Sequence, residues 1–331
     1  MQTDPVLFQL RGREGKGLTM IFLGLLAGFV LLLAGGEFLV RGAAALALRL
    51  GLSNLVVGII IVGFGTSVPE LVASIQAALA GAPGIAMGNV VGSNIANILL
   101  ILGVGAVIYP IICSKAAVFR DGFFMIFAAA LLGVACYSGV LSLTWGLVFI
   151  VILVTYMGSL LYSDRKKNGK KPVEPDDDLP KPSKSIWLDI MFVACGTAAV
   201  LLGGKLLVDN AIIVAKSFEV SDEVVGLTLV AIGTSLPELA TSIIAALRKH
   251  SDIALGNVLG SNIYNVLGIA GITAVISPIP VSDEMLKVDI PVMIGVSLVL
   301  FFLAVVVKRF GKRVGFAFLA GYVAFIYAVV A

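Results

Sequence analysis

Two glutamates lie within strongly apolar stretches of this chain, each directly after a proline. The first stretch reads GFGTSVPELVASI around Glu70, and the second reads AIGTSLPELATSI around Glu238. An ionisable side chain at membrane depth costs roughly 2.5 to 3.5 kcal/mol on insertion scales, and such residues usually mark ion pathways or binding sites. The two glutamates therefore predict a site that binds a cation inside the membrane.

The residues before each glutamate could supply further oxygen ligands. In a helix, positions three and four apart share a face, so Thr66 and Ser67 would lie beside Glu70. Pro69 lacks an N–H and crowds the carbonyl four residues earlier, which frees backbone oxygen beside the same face. The same face includes the backbone of Gly63, and the second copy repeats the arrangement with Ala231, Thr234, Ser235, Pro237 and Glu238.

A second polar stripe follows each glutamate at the spacing i, i+4, i+8. The stripes consist of Asn89, Ser93 and Asn97 in the first copy, and of Asn257, Ser261 and Asn265 in the second. Glycines four residues apart accompany them, at Gly88 and Gly92 and again at Gly256 and Gly260. Because this spacing lets neighbouring backbones approach closely, we expect each stripe to reach the glutamate helix.

The two copies together offer a donor set made only of oxygen, with a formal charge of −2 from the carboxylates. Ca²⁺ takes about six to eight oxygen ligands in flexible geometry, and Na⁺ is likewise a hard cation that prefers oxygen. Zinc or copper would call for His or Cys, but the single histidine of the chain, His250, falls in a predicted turn. The pattern predicts Ca²⁺ and Na⁺ as the bound ions.

An internal repeat with a constant offset of 168 residues contains both motifs. Residues 58–103 and 226–271 align without a gap and are identical at 26 of 46 positions, which chance cannot give. Five predicted spans separate corresponding positions, and five is odd, so the second copy would cross the membrane in the opposite direction. Inverted repeats of this kind are a known construction of secondary transporters, with the binding site near the midplane.

The composition indicates a membrane protein. Hydrophobic residues make up 59% of the chain, charged residues only 13%, and the mean hydropathy is +1.08, whereas soluble domains are about 25% charged. We predict an all-α polytopic membrane protein with ten transmembrane helices, arranged as two inverted-topology repeats of five helices. The predicted spans are 18–40, 52–80, 84–109, 118–138, 141–162, 186–216, 221–248, 252–276, 287–307 and 314–330.

The predicted organisation has four parts. They are an N-terminal segment (1–17), a first repeat (18–162, motif 58–103), a polar cytoplasmic linker (163–185) and a second repeat (186–331, motif 226–271). The connections on one predicted side hold 17 of the 23 Lys and Arg residues, so the positive-inside rule puts both termini outside the cytoplasm of a cell or inner membrane. The net charge of +3 then reflects topology, and no nucleic acid is expected as a partner.

The motifs GTSVPE, GNVVGSNIAN, GTSLPE and GNVLGSNIYN resemble the two α-repeats of the cation/calcium exchanger superfamily, in its sodium/calcium exchanger branch. The resemblance covers essentially the whole chain and implies a prokaryotic-type antiporter with no cofactor, in which Na⁺ influx drives Ca²⁺ extrusion by alternating access. Proton-coupled relatives carry a Gly-Asn type sequence before the glutamate, whereas this chain has Gly65-Thr66-Ser67, which favours sodium. Potassium-dependent relatives carry aspartate at the position of Asn265.

The resemblance also implies a role for each residue of the site. Glu70 and Glu238 would bridge Ca²⁺ and also serve Na⁺ sites. Hydroxyl ligands would come from Thr66, Thr234, Ser67, Ser235, Ser93 and Ser261, and carbonyl ligands from Gly63 and Ala231. The amides of Asn97 and Asn265 complete the set of site residues that the motifs predict.

Other readings use some of the same residues. A proton-driven antiporter of Ca²⁺ or another divalent cation would need the same two carboxylates, and the sequence leaves it open. A channel would not require the inverted repeat, and an intramembrane enzyme lacks support because the chain has no HExxH sequence and no Ser–His or Cys–His pair at membrane depth. The sequence leaves the oligomeric state open.

The first span of each half differs from the motif helices. Glu37 lies near a span end and its counterpart in the repeat is Lys205, so we interpret both as interface or gating residues and not as ligands. Glycines near them, at Gly35 and Gly36 and again at Gly203 and Gly204, predict that these two spans slide over the ion-binding core.

Overall fold

The structure, a computed structural model, describes residues 5–49, 65–113, 118–168, 183, 185–218, 220–247, 251–307 and 309–330. Helices dominate because each backbone N–H and C=O in a hydrocarbon layer must be bonded within its own segment. The helices are α1 (Pro5–Arg49), α2 (Val68–Leu79), α3 (Pro83–Ala96), α4 (Leu102–Ile108), α5 (Phe123–Cys136), α6 (Leu143–Asn168), α7 (Ile186–Phe218), α8 (Asp222–Val225), α9 (Ala231–Thr234), α10 (Leu236–Leu247), α11 (Ser251–Tyr264), α12 (Gly271–Ile276), α13 (Ile290–Val307) and α14 (Lys312–Val330).

Short π-helical segments join or begin several of these helices. They are Asn97–Ile101, Val118–Gly122, Gly226–Val230, Asn265–Ala270 and Met285–Asp289. The segments at Asn97 and Asn265 begin at corresponding positions of the repeat. π-helical turns are rare and are found frequently at functional sites.

Eight helical segments of the described chain are long and apolar enough to cross a membrane, and α8–α10 form a ninth when counted as one bent span. The predicted second span, 52–80, lies partly outside the described residues, so the number ten stays a prediction. The predicted N-terminal segment is helical from Pro5 onward and continuous with the first span. No proline follows Pro5 within α1, so no missing N–H interrupts its helical hydrogen bonds.

The motif helices lie at the centre of the molecule. Among the eight unbent spans, Pro83–Ile108 and Ala254–Ile276 bury 78% and 72% of their most apolar 18 residues inside the protein, and the other six bury at most 39%. The polar stripes therefore lie inside the protein and not at its surface.

Helix α1 packs against α7 in the antiparallel direction. Successive glycines of α1 meet progressively earlier residues of α7: Gly28 meets Leu207, Gly35 meets Val200 and Gly42 meets Val193. A Cβ added at Gly35 would lie only 2.8 Å from the backbone nitrogen of Val200, so the close approach requires glycine there. At the end of this pair, Arg49 Nε donates a hydrogen bond of 2.7 Å to the buried Asp189 carboxylate.

Helix α3 packs closely against the segment 222–231. A Cβ added at Gly88 would lie 2.6 Å from the carbonyl oxygen of Glu223, and one at Gly92 would lie 2.5 Å from that of Leu227. The small residues thus permit backbone contact, as their spacing predicts. For Gly256 and Gly260, the corresponding segment of the other half lies outside the described residues.

Two short antiparallel strand pairs connect the halves. Strand β1 (Ile111–Ile112) pairs with β4 (Arg309–Phe310), and β2 (Val140–Leu141) pairs with β3 (Ile279–Pro280). Each pair thus takes one strand from the first half of the chain and one from the second.

Candidate cation-binding site

A break in the helix precedes each glutamate. Ser67 adopts φ −91° and ψ 11° directly before α2, and Ser235 adopts φ −83° and ψ 8° between α9 and α10. At the second break, the segments Asp222–Thr234 and Leu236–Leu247 bend by 43°. The expectation that Thr66, Ser67 and Glu70 lie along one continuous helical face is therefore wrong. The following proline explains the break, because it has no N–H for a helical bond.

The break places each carboxylate in the first turn of a new helix. Glu70 lies in the first turn of α2, and Glu238 in the first turn of α10. The unsatisfied N–H groups at a helix start carry partial positive charge, which stabilises a nearby anion. This arrangement offsets part of the cost of two buried carboxylates, which are only 2% and 1% exposed.

Hydrogen bonds cross between the two copies. Ser67 Oγ donates to Glu238 Oε1 at 2.7 Å, and Ser235 Oγ donates to Glu70 Oε1 at 3.1 Å. The two carboxyl groups are also near enough to interact with each other. Residues that are 168 positions apart in sequence thus form one site, to which both motifs contribute equally.

The polar stripes reach the glutamate helices as expected. Asn89 Nδ2 donates to the Glu70 carbonyl oxygen at 3.1 Å and to Ser74 Oγ at 2.9 Å. The second copy repeats both contacts, from Asn257 to the Glu238 carbonyl at 3.5 Å and to Ser242 Oγ at 3.2 Å. These amides brace the glutamate helices through their donors.

Two of the predicted hydroxyl ligands meet at one amide oxygen. Asn89 Oδ1 accepts hydrogen bonds from Thr234 Oγ1 at 3.0 Å and from Ser93 Oγ at 3.4 Å. Thr234 Oγ1 lies also 2.9 Å from the Val230 carbonyl oxygen. Both hydroxyls act here as donors, so their oxygen lone pairs remain available to a cation.

The predicted asparagines lie where the π-helical segments begin. Asn97 Nδ2 donates to Asn262 Oδ1 at 2.9 Å, and Asn262 Nδ2 donates to the Asn94 carbonyl at 3.3 Å. The segment that starts at Asn97 contacts α10, which carries Glu238, and the segment that starts at Asn265 contacts α2, which carries Glu70. The asparagines therefore also cross from one half to the other.

Several oxygens of the site have no hydrogen-bond partner. Of the buried side-chain atoms without a partner in the described part of the chain, all but Thr273 Oγ1 and Tyr322 Oη belong to predicted site residues. They are Thr66 Oγ1, Glu70 Oε2, Asn97 Oδ1, Glu238 Oε2, Ser261 Oγ and Asn265 Oδ1. Buried polar atoms are normally paired, and a bound cation is a partner that would satisfy this set.

The chemistry of the donors fits a hard cation. Within the described ranges, no three or more His, Cys, Asp or Glu side chains are grouped so that they could hold a metal ion. The site instead combines two carboxylates with neutral hydroxyl and amide oxygens. Such a set matches the flexible oxygen coordination of Ca²⁺ and does not offer the soft ligands that zinc or copper prefer.

Two predicted backbone ligands remain to be placed. Ala231 is buried, and its carbonyl oxygen accepts a hydrogen bond of 3.1 Å from the Ser235 N–H, which leaves one lone pair. Gly63 lies outside the described residues. The side chain of Ser261 is buried but makes no hydrogen bond to either carboxylate among the contacts of the described chain.

Sequence reasoning missed several residues of the site. Ser74 and Ser242 pair with the stripe amides, and Asn94 and Asn262 flank the crossed amide contact. All four are identical between the two copies of the repeat, which was the signal that could have found them. Tyr264, where the first copy has alanine, lies close enough to interact with Glu70, and nothing in the motif indicated it.

Comparison with known proteins agrees with this geometry. The family model described as sodium/calcium exchanger protein matches residues 20–162 and 188–331, which include both motifs. The chain belongs to the sodium/calcium exchanger family. It is thus a multi-pass membrane protein of a family of cation exchangers.

Relatives of this exchanger are similar over most of their length. The sodium/calcium exchanger MaX1 of Methanosarcina acetivorans is 35% identical, over 86% of this chain and 91% of that protein. The putative antiporter CaxA of Alkalimonas amylolytica is 35% identical, over 87% and 89%, and the inner membrane protein YrbG of Escherichia coli is 32% identical, over 83% and 86%. A structure of the sodium-calcium exchanger NCX_Mj soaked with Na⁺ and Sr²⁺ has a TM-score of 0.63 at 33% identity and covers 93% of this chain and 98% of that one.

Proposed function

We propose that this exchanger moves Na⁺ and Ca²⁺ in opposite directions by alternating access, with Na⁺ influx driving Ca²⁺ extrusion. The observation that carries the proposal is the crossed pair of hydrogen bonds, Ser67 to Glu238 and Ser235 to Glu70, which leaves Oε2 of each carboxylate unpaired. Since both ions would use the same carboxylates, each excludes the other. When no cation is bound, the two buried carboxylates have no partner, and this opposes the change of the empty site from one side of the membrane to the other. The site therefore changes sides only with an ion bound, and transport becomes exchange.

The ligands of the transported ions follow from the same contacts. Glu70 and Glu238 would bridge Ca²⁺ and take part in Na⁺ binding, and no resident cofactor is required. The side-chain oxygens would come from Thr66, Thr234, Ser67, Ser235, Ser93, Ser261, Asn97 and Asn265, and the backbone oxygens from Gly63 and Ala231. Thr66 Oγ1 is buried without a hydrogen-bond partner, which supports its place as a ligand.

We propose ten spans in two inverted repeats, 18–162 and 186–331, joined by a cytoplasmic linker at 163–185, with both termini outside the cytoplasm. Antiparallel packing of α1 on α7 supports the inversion, because corresponding helices of inverted repeats run in opposite directions. The strand pairs support it as well, since β1 and β3 occupy corresponding positions and each pairs with a strand of the other half.

The α1–α7 pair would provide the movement. Gly36 of α1 lies against Pro69, where an added Cβ would be 3.7 Å from the ring, and Gly204 of α7 lies against Val72, where it would be 2.6 Å from Cγ1. In a symmetric arrangement, one of these corresponding glycines would contact α2 and the other would contact α10. Here both contact α2. Such unequal docking is expected when a pair of helices occupies one of two alternative positions on a symmetric core.

The test is uptake of ⁴⁵Ca²⁺ into proteoliposomes that are loaded with Na⁺ and diluted into Na⁺-free buffer. Vesicles loaded with K⁺ and vesicles with an imposed pH gradient serve as controls. Uptake that requires internal Na⁺ supports the proposal. Uptake driven by the pH gradient alone would instead make the protein a proton-driven antiporter of divalent cations, and no uptake by folded protein would reject Ca²⁺ as the substrate.

A further inference from the structure

A small cavity with a charged wall lies between α2 and α7, away from the cation-binding site. It has a volume of about 180 Å³, and its lining consists of Gln76, Leu79 and Ala80 from α2 and of Lys205, Val208 and Asp209 from α7. Lys205 Nζ and Asp209 Oδ2 are 3.2 Å apart, and the two side chains remain 68% and 48% exposed. The cavity thus has a charged wall that opens to the exterior of the protein.

The charged wall lies at membrane depth. The apolar part of α7 runs over Ile186–Ala215, and at a rise of about 1.5 Å per residue Lys205 is about 7 Å and Asp209 about 13 Å from its middle. Both positions fall within a hydrocarbon layer about 30 Å thick. Charged side chains inside membranes generally face the protein interior or a water-filled cavity, so the exposed surface of this pair is expected to face water.

The cavity lies beside the helix that carries Glu70. Gln76 is about 9 Å along α2 from Glu70, taking about 1.5 Å per residue. Gly204, next to Lys205, packs directly on α2, where an added Cβ would lie 2.6 Å from Val72 and 3.7 Å from Gln76. In this structure that close contact closes the cavity toward Glu70, which is 2% exposed, so a cation would reach the carboxylate only after α7 moves away from α2.

The other half of the repeat carries the opposite charges at the corresponding positions. Glu37 corresponds to Lys205 and Arg41 to Asp209. The Arg41 guanidinium lies 5.4 Å above the ring of Phe192, where it makes a cation–π contact, and it forms no ion pair with the residues that the structure describes. The Lys205–Asp209 pair is therefore a feature of one side of the molecule, and by the proposed topology that side is the non-cytoplasmic one.

We propose that Lys205 and Asp209 line a water-filled entrance through which cations from the non-cytoplasmic side approach Glu70. Asp209 lies nearer the membrane surface and attracts the cation, and Lys205 neutralises Asp209 when no cation is present. The inference rests on the proposed function, because it assumes that cations reach Glu70 from that side. It adds two residues that govern access but do not coordinate the ion in the central site.

Cysteine labelling tests whether the entrance contains water. In protein with the exposed Cys195 replaced by Ala and the buried Cys113 and Cys136 retained, Asp209→Cys is treated from outside with a membrane-impermeant cationic methanethiosulfonate. Leu206→Cys is the matched control, since Leu206 is exposed at similar depth but does not line the cavity. Because only a hydrated thiolate reacts, we expect Asp209→Cys to react about tenfold faster. Equally slow labelling of both would mean that the pair faces lipid and would overturn the proposal.

Sided transport tests the role of the charge. Asp209→Asn should raise the KM for Ca²⁺ presented at the non-cytoplasmic face by about tenfold, at the low end of electrostatic focusing in clefts, and leave the KM at the cytoplasmic face unchanged. The double variant Lys205→Met with Asp209→Asn leaves no unpaired charge, and it should show the same increase in KM at the non-cytoplasmic face only. An equal change at both faces, or none, would overturn the proposal. Labelling requires no transport, so it still decides whether the entrance exists if the wild-type protein fails to exchange Na⁺ for Ca²⁺.

Discussion

The negative charge of each buried glutamate, and not its shape, should be what transport requires. Glu70→Gln or Glu238→Gln keeps an oxygen that can accept the serine hydrogen bond but removes the charge that binds Ca²⁺. We expect either variant to abolish Ca²⁺ exchange while still inserting and folding, because a neutral amide costs less to bury than an ionised carboxylate. The measurements are ⁴⁵Ca²⁺ exchange and gel-filtration monodispersity.

Glu284→Gln is the matched control for these two variants. Glu284 is exposed and contributes no oxygen to the site, so the same chemical change there should leave exchange intact. Normal Ca²⁺ flux in both Glu70→Gln and Glu238→Gln would contradict the assignment of the site.

The crossed hydrogen bonds predict which residues are energetically coupled. In a double-mutant cycle on the free energy of unfolding in micelles, Ser67→Ala and Glu238→Gln should couple by at least roughly 0.6 kcal/mol, the average between transmembrane helices, and by at most about 1.7 kcal/mol. Ser67→Ala and Glu70→Gln, which lie in the same motif and share no direct hydrogen bond, serve as the comparison and should couple more weakly, since residues of one network are rarely fully additive. Stronger coupling within the motif than across the motifs would count against the crossed geometry.

At the scale of the helices, the close packing of α3 should be essential. Gly88→Ala would place a methyl group 2.6 Å from the Glu223 carbonyl oxygen, so α3 and the segment 222–231 must separate. Overpacking of this kind costs about 1 to 3 kcal/mol, and we expect a lower melting temperature together with reduced exchange. Gly133→Ala is the control, because its nearest neighbour would be Ile290 at an ordinary 3.5 Å, and a loss of stability as large there would refute the explanation.

The sequence predicted most of the helices but not where they break. Spans are readable because a hydrocarbon layer requires long apolar helices, and Pro69 and Pro237 indicated disturbed backbone near the glutamates. The direction in which Ser67 and Ser235 point was not readable, because a helical wheel assumes an unbroken helix. The π-helical segments at Asn97 and Asn265 also escaped prediction, since apolar residues surround them and nothing in their periodicity differs from that of an α-helix.

At the scale of the whole molecule, the repeat indicated that two halves share one site. It could not indicate how the halves connect or where the α1–α7 pair lies on the core. The strand pairs β1–β4 and β2–β3 involve only two residues each, too few to give a β pattern in sequence. Gly36 and Gly204 both dock on α2, which breaks the symmetry of the repeat. The similarity between the two copies could not predict this, because it treats both halves alike.

That broken symmetry leads to a prediction about movement. If α1 and α7 slide together over the core, a short cross-link within the pair should be tolerated, and a cross-link from the pair to α2 should stop exchange. Phe38 and Phe192 stack with ring centroids 5.7 Å apart, so Phe38→Cys with Phe192→Cys tests the first case. Gly204→Cys with Val72→Cys, which join α7 to α2 at a direct contact outside the site, tests the second.

Both pairs of cysteines are joined with the same short bifunctional thiosulfonate, and Na⁺-dependent ⁴⁵Ca²⁺ uptake is measured before and after reduction. We expect near-normal uptake for the linked α1–α7 pair, and uptake restored only by reduction for the α7–α2 link. Since both reactions attach a helix of the pair to a neighbour, a general rigidifying effect would stop both variants alike. Equal inhibition of the two, or free exchange in both, would therefore reject sliding of α1 and α7 as one unit.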